Sequence, residues 1–430
     1  MTIRSWSVSW WAASNPILWY KQNSSVMRFF LIVFMLAIFQ AGHADHDTRL
    51  AGKAARIHTA AFTVDSHTDT PIFLARYRFD FGDRHDQQNN RTKVDLPRMK
   101  DGGLDGIFFA VFIGQGPRTP EGNRDAHAQV LMILDSIQAT LDRYPEELEP
   151  ATEASDLKRI AREGKHAIYL GMENGYPLGN DLTLLEDFHR RGIRYITLVH
   201  SSNNDICDSS TDTLEHGGLS PFGEEVVSRM NDLGIMIDLS HASDDTFYDV
   251  VEMSRAPVIA SHSCARALCD HPRNLTDDML LRLKENGGVI QLCFVSEYVK
   301  AFEPDPQRDS ARQAIGEKYG EFGEMTEAER EAFMEEWFDV DRKFPQEMAT
   351  VKDAVDHIDH IVQVAGIDHV GIGTDFDGGG ALEDCYDVSQ LGNITLELVR
   401  RGYSAREIKK IWGGNLTRVL RKVEKAVLFQ

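Results

Sequence analysis

Long apolar stretches are scarce in this sequence of 430 residues. The run from Phe29 to Phe39 stops at 11, well short of the ~20 residues a membrane-spanning helix requires, so a multi-span membrane protein is excluded. Cysteine is scarce too. The five present, Cys207, Cys264, Cys269, Cys293 and Cys385, show no Cys-x-x-Cys spacing, which removes a zinc ribbon or a thioredoxin-like motif. Their odd number leaves at least one thiol over, and in an exported chain Cys269 with Cys293 is the pair expected to form a disulfide. Positive charge is in deficit, with 46 Lys and Arg against 67 Asp and Glu and a net charge of −21. Such a surface repels phosphate backbones and lacks the basic footprint of a nucleic-acid binder, so the expected partner is a small molecule and not nucleic acid. A G-x-G-x-x-G turn after the first strand-like run is missing as well, which disfavours a dinucleotide-binding fold.

What is present begins with ordinary globular composition, 42% hydrophobic and 26% charged, which excludes disorder and collagen. Met27 and Arg28 precede the apolar run and Ala41-Gly42-His43-Ala44 follows it, with small residues three and one before the expected cut. This is the pattern of a secretory signal and makes residues 1–44 a leader. Met27 is favoured as the true start, because the Trp-rich stretch before it lies upstream of the charged region. No stable transmembrane anchor and a periplasmic or secreted location are expected, and residues 45–430 are read as one domain.

From residue 60 onward, β-branched apolar runs alternate with stretches of helical period. The runs are 62–66, 106–113, 167–171, 195–199, 235–239, 258–261, 288–293 and 369–373. Helices are predicted between them over 125–143, 182–191, 222–233, 244–254, 277–286 and 351–365. Eight such repeats predict an α/β chain closed into a (β/α)8 TIM-like barrel, not an open doubly wound sheet. Between the seventh and eighth runs, residues 296–350 form an acidic helical insertion with 15 Asp and Glu against 7 Lys and Arg. A segment of that length in a compact domain suggests a lid.

The chemistry lies at the ends of the runs. The first ends in His67-x-Asp69, the third leads into Glu173, and the fourth ends at His200. The fifth ends at His241, the sixth at His262 and the eighth at Asp375. A lone His or Asp after a strand is more often a cap or turn residue than a ligand. In a parallel barrel, however, all these ends converge on the face where active sites of this fold lie. His67, Asp69, Glu173, His241 and His262 together supply roughly two metals' worth of nitrogen and oxygen donors, a set that suits Zn²⁺, Mn²⁺ or Fe²⁺. Buried without metal or protons, such a cluster would be costly.

These residues sit in a longer set of motifs. Asp65-Ser66-His67-Thr68-Asp69, Gly171-Met172-Glu173-Asn174-Gly175, Leu198-Val199-His200-Ser201 and Ile237-Asp238-Leu239-Ser240-His241 are followed by Ser261-His262-Ser263, Arg273-Asn274-Leu275 and Gly373-Thr374-Asp375-Phe376-Asp377-Gly378. In content and order they resemble the membrane (renal-type) dipeptidases, family M19 of the amidohydrolase superfamily. The resemblance extends over nearly all of residues 50–420, and the chain reads as a bacterial member. It implies two Zn²⁺ per chain, with His67 and Asp69 on one, His241 and His262 on the other, Glu173 bridging them, and a shared hydroxide. It further implies that His200 polarises the substrate carbonyl, that Asp375 shuttles the proton, and that Arg273 binds the α-carboxylate of a small dipeptide. Dipeptides with a C-terminal D-residue fall within the expected range, and a homodimer is compatible with the resemblance. The lipid-anchor signal of the family's eukaryotic members has no counterpart in residues 418–430, which are charged and helix-like. Two readings compete: an N-acyl-amino-acid deacylase or β-lactam hydrolase on the same site, and a catalytically silent binding protein.

Overall fold

The computed structural model describes residues 47–427 apart from 78, 86–91, 321–324 and 346; the expected leader, 1–44, lies outside the described residues. The chain divides into two compact units, Met1–Lys53 and Ala54–Gln430, and in the first of them residues 47–53 are helical. Among the described residues no helix is long and apolar enough to cross a membrane.

Among its described residues the second unit has nine strands: β1 (Val64–Thr68), β2 (Gly106–Phe112), β3 (Leu148–Pro150), β4 (His166–Glu173), β5 (Ile193–Thr197), β6 (Met236–Asp238), β7 (Ile259–Ser263), β8 (Val289–Leu292) and β9 (Val370–Ile372). All pairings between them are parallel, in the order β1-β2-β4-β5-β6-β7-β8-β9, with the short β3 attached to β4 outside the ring. The ring closes just beyond β9, where Asp375 N donates to His67 O at 3.1 Å and Asp69 N to Phe376 O at 2.9 Å. The fold is therefore the (β/α)8 barrel that the eight apolar runs predict. Those runs read as continuous apolar segments because barrel strands are covered on both faces, by the interior and by the helices. In β2, Gly-Ile-Phe-Phe-Ala-Val-Phe, six of the seven residues are buried.

The surrounding helices start where the sequence places hydroxyl caps. Thr119, Ser220, Ser243, Thr276 and Thr350 each accept a backbone N–H from the first turn of the following helix. Gly234 and Gly287 end two of them with φ of 76° and 82°, a conformation costly for any residue with a Cβ. The insertion carries the helices Ser296–Val299, Pro306–Tyr319 and Glu327–Lys343. The last two are tied by Arg312 to Asp341 at 2.7 Å and by Arg312 stacked over Trp337 at 4.5 Å.

At the N-terminal ends of the strands the interior is apolar. Val64, Phe108, Tyr169, Met236, Ile259 and Val289 meet there, and Leu416, Val419, Leu420 and Val423 of the helix Asn415–Val427 pack with them. Burial of each large side chain contributes about 1.5–3 kcal/mol. That dry floor supports a mouth at the other end lined with charged and polar groups. All five cysteines are buried and free, so the expected Cys269–Cys293 disulfide is not formed. The two thiols serve different surroundings: Cys269 Sγ lies 3.2 Å from Glu297 O, and Cys293 Sγ faces Asp375 Oδ2 at 3.9 Å.

Candidate metal centre

Glu173, the last residue of β4, stands at the centre of the C-terminal mouth. One carboxylate oxygen, Oε2, lies 3.5 Å from His67 Nε2; the other, Oε1, lies 3.1 Å from His241 Nε2 and 3.4 Å from His262 Nε2. His241 Nε2 and His262 Nε2 approach each other to 3.0 Å. On the opposite side Asp69 Oδ2 is 3.8 Å and Asp375 Oδ1 4.0 Å from His67 Nε2. The donor atoms thus form three overlapping groups, His67 with Glu173 and His262, Glu173 with His200 and His241, and His67 with Asp69 and Asp375.

Local structure explains how each side chain reaches this point. Asp69 occupies the N-cap position of the helix Thr70–Arg76, but its carboxylate does not cap that helix. It turns into the mouth instead, where Oδ1 has no hydrogen-bond partner. The four non-glycine residues with positive φ among those described are Asn174, His241, Asp375 and Asp377. Each such residue costs on the order of 1–3 kcal/mol and persists only where its surroundings fix it. Asn174, directly after Glu173, is held by Nδ2 to Ile113 O at 3.0 Å and by the backbone of Tyr176 at 3.1 Å. Asp377 takes a hydrogen bond from Thr70 Oγ1 at 2.7 Å and one from Lys93 N at 2.5 Å. Gly378 completes that loop, and a Cβ there would collide with the carboxylates of both Asp69 and Asp375.

The imidazoles are oriented from behind. His67 Nδ1 meets the buried Tyr195 hydroxyl at 2.7 Å, which leaves Nε2 to face the cluster with no hydrogen-bond partner. Tyr195 fits because a Cβ on Gly171, opposite it in β4, would strike its ring. His262 Nδ1 lies 2.8 Å from Ser261 Oγ, and Ser261 Oγ donates to Asp238 Oδ2 at 2.6 Å. Since that hydroxyl has one proton, His262 Nδ1 must carry the hydrogen between them, so its Nε2 presents a lone pair. Asp238 also takes Thr197 Oγ1 at 2.5 Å, Ser261 N at 2.7 Å and Ser240 N at 3.1 Å. Truncation at Asp238 leaves these donors without an acceptor. Asp238→Ala is expected to destabilise the fold by at least about 3 kcal/mol and weaken metal binding by roughly 10–100-fold. Urea denaturation and metal titration measure the two, and an unchanged metal affinity would show that this relay does not orient His262.

Electrostatically the cluster is frustrated. Burial, reinforced by Arg273 and neighbouring imidazoles, holds His241 and His262 well below the ordinary histidine range, and His200 is lowered by burial and then Arg273. Burial pushes Asp375 well above the usual carboxylate range, with Asp69 and Glu173 adding to the rise and His67 opposing it. Held low by burial, His241 and His262 stand beside carboxylates, and three atoms of the cluster, His67 Nε2, Asp69 Oδ1 and His241 Nδ1, lack any hydrogen-bond partner, a donor set fit for divalent cations.

His200 lies at the rim, 3.8 Å from Glu173 Oε1, with its ring 4.2 Å from that of His241 and 4.7 Å from that of Phe112. Arg273 is 3% exposed. Its Nη2 donates to His262 O at 3.1 Å, its Nη1 reaches Ser263 Oγ at 3.5 Å, and Tyr298 lies 5.4 Å from the guanidinium. No carboxylate pairs with it among the described residues, and Nε has no partner. A buried guanidinium in that state is costly until an anion reaches it.

The structure thus brings together His67, Asp69, Glu173, His200, His241, His262 and Asp375, with Arg273 beside them. Sequence reasoning passed over Asp238, Ser261, Tyr195 and Gly378. Asp238 stands in the Ile237-Asp238-Leu239-Ser240-His241 motif, where only the histidine was given a role; an acidic residue inside the apolar run 235–239 was the available signal.

Comparison with known proteins agrees with this geometry. Residues 51–428 match the membrane dipeptidase family, Peptidase family M19. Dipeptidase tcpJ of Claviceps purpurea is 34% identical over 372 residues, covering 84% of this chain and 76% of its own. The crystal structure of the probable dipeptidase PvdM of Pseudomonas aeruginosa superposes with a TM-score of 0.76 at 31% identity, over 88% of this chain and 99% of that one. A Rhodobacter sphaeroides metallopeptidase, crystallised with a phosphinate mimic of the dipeptide L-Ala-D-Ala, shares the fold with a TM-score of 0.67 at 24% identity, over 84% of this chain and 99% of its own. The relatives are thus both fungal and bacterial. The chain belongs to the membrane dipeptidase family, peptidase family M19, and is a metallo-dipeptidase.

Proposed function

We propose that the enzyme works with two divalent cations, zinc on the strength of its donor set, held by His67 and Asp69 on one side and His241 and His262 on the other. Glu173 would join the two halves. The observation that carries this reading is that its two carboxylate oxygens face different groups, Oε2 toward His67 and Oε1 toward His241 and His262. Such ions, when bound, bring the pKa of a coordinated water down to about 7 and offset negative charge developing on a carbonyl oxygen.

The protein's own groups do the rest. Arg273 receives the α-carboxylate of the dipeptide, a task suited to a buried guanidinium fork that no carboxylate pairs with among the described residues. This fixes the distance from the substrate's carboxyl end to the centre. His200, at the rim, donates from its ring to the scissile carbonyl oxygen. Asp375 takes up the nucleophile's proton at Oδ1 and delivers it to the departing amine. Substrates with a D-residue on the carboxyl side belong to the same proposal, supported by the sequence resemblance. The apolar run Phe29 to Phe39 and the small residues behind it support a periplasmic or secreted enzyme.

The test combines metal analysis with turnover on a panel of L,L-, L,D- and N-acetyl substrates. Two equivalents of zinc, and dipeptides favoured over N-acetyl amino acids, are expected. Within the panel, Arg273→Met should raise KM at least about tenfold for dipeptides with a free carboxylate and much less for their amides, because one charge-assisted pair is lost. An equal loss on both would give Arg273 a purely structural role.

A further inference from the structure

The insertion that follows β8 is rooted beside Arg273, and side chains fasten its root. It begins with the helix Ser296–Val299, only four residues long. A helix that short has no further turn to occupy its last carbonyls, so these need donors from elsewhere. Three side chains meet them. Cys269 Sγ lies 3.2 Å from Glu297 O, Asn274 Nδ2 donates to Tyr298 O at 2.8 Å, and His357 Nε2 donates to Val299 O at 2.8 Å. Cys269 and Asn274 belong to the loop after β7 that carries Arg273, whereas His357 stands on the helix Val351–Val364 behind the insertion.

Asn274 and His357 grip the loop as well as the helix. Asn274 Oδ1 accepts from Cys264 N at 3.2 Å while its Nδ2 also donates to Cys269 O at 2.9 Å, and His357 Nδ1 accepts from Ala265 N at 3.1 Å. A backbone N–H can only donate and a carbonyl only accept, so His357 is neutral with its hydrogen on Nε2. Both residues are 1% exposed, and among the described residues neither is hydrogen-bonded to a member of the metal cluster. What they hold in place does face that cluster. Arg273, next to Asn274 in the chain, donates to His262 O, and the ring of Tyr298 lies 5.4 Å from its guanidinium and 4.5 Å from the ring of His271. Truncating Asn274 or His357 leaves a carbonyl unpaired and frees the short helix, with the Tyr298 ring, to move away from the guanidinium.

We propose that Asn274 and His357 are positioning residues for substrate recognition: by fastening the helix Ser296–Val299 to the loop of Arg273 they set the spacing between the Tyr298 ring and the guanidinium, and with it the pocket that receives the α-carboxylate. The root of the insertion is thereby one wall of that pocket. The inference rests on the role given to Arg273, and the experiment separates the two.

Arg273→Met, Asn274→Ala, His357→Leu, His357→Gln and the double variant Arg273→Met with Asn274→Ala are assayed on Ala-Ala and on its C-terminal amide, with metal content and thermal unfolding measured alongside. For Asn274→Ala and His357→Leu, KM for the free dipeptide is expected to rise about tenfold or more, since misplacing a group by about 1 Å can cost up to about 10²-fold. Metal content, kcat and KM for the amide should change little. His357→Gln keeps a donor for Val299 O and should fall between wild type and His357→Leu. Adding Asn274→Ala to Arg273→Met should raise KM for the free dipeptide little further, because residues that act through one contact do not add. Where Asn274→Ala fails to fold, the two His357 variants carry the same comparison. Equal losses on dipeptide and amide, or losses that add in full to that of a selective Arg273→Met, overturn the positioning role and leave the role of Arg273 standing. An Arg273→Met loss that is equal on both substrates overturns the carboxylate reading, and this inference with it.

Discussion

Asp375→Asn is expected to fold normally, bind metal nearly as the wild type does, and lose at least about 10²-fold in kcat with a modest change in KM, the magnitude typical of a lost general acid–base. The geometry motivates this. Asp375 follows β9 in Gly373-Thr374-Asp375, adopts a φ of 59°, and places Oδ1 4.0 Å from His67 Nε2. Its backbone is fixed independently of its carboxylate. The N–H bonds His67 O at 3.1 Å, and Asp65 holds the preceding Thr374 through N at 2.9 Å and Oγ1 at 2.6 Å. Asn therefore keeps the shape and removes only the proton carrier. Steady-state kinetics on metal-quantified protein distinguishes the roles: a matching fall in metal content would make Asp375 a ligand, alongside His67 and Asp69. Retention of more than about a tenth of kcat would move the proton transfer to another group, His200 first.

Glu173→Gln should have a larger effect, because it acts on both halves of the centre. A neutral amide cannot give charge to two cations at once, and one of its two terminal groups is a donor that would face an imidazole lone pair. Metal content is expected to fall to one equivalent or less, and kcat/KM by at least about 10²-fold in step with it, since even groups behind metal ligands are worth 10–100-fold. Elemental analysis after dialysis gives the first quantity and kinetics the second. Two full equivalents in the variant would show that Glu173 is not the bridge. The buried cluster also predicts that wild-type protein stripped of metal is less stable than the loaded form, because ligands that bind only the folded state stabilise it.

The barrel was legible in the sequence because its strands are apolar on both faces and its helices are punctuated by hydroxyl caps and glycines. All eight apolar runs became ring strands, although the first is displaced by two residues, from 62–66 to Val64–Thr68, and the fourth by two the other way, from 195–199 to Ile193–Thr197. The first displacement matters, since it puts His67 inside the strand and not after it, and His262 likewise lies within β7. The three-residue β3 left no readable signal, being too short for a period. The disulfide expectation failed because cysteine spacing in sequence says nothing about which way two thiols face.

By itself, then, the sequence determined the eight ring strands, the starts of five of the six predicted helices to within a residue, the candidate donors and the family, since each of these is written in local residue type, spacing and order. Only the tertiary structure decided which oxygen of Glu173 faces which imidazole, that Asp238 reaches His262 through Ser261, and that Arg273 is buried with no carboxylate partner among the described residues. The reason is physical. Local pattern is fixed by backbone propensity and by burial on a helix or strand face, whereas these contacts join residues tens to hundreds of positions apart. Barrel closure and the packing of its interior bring them together.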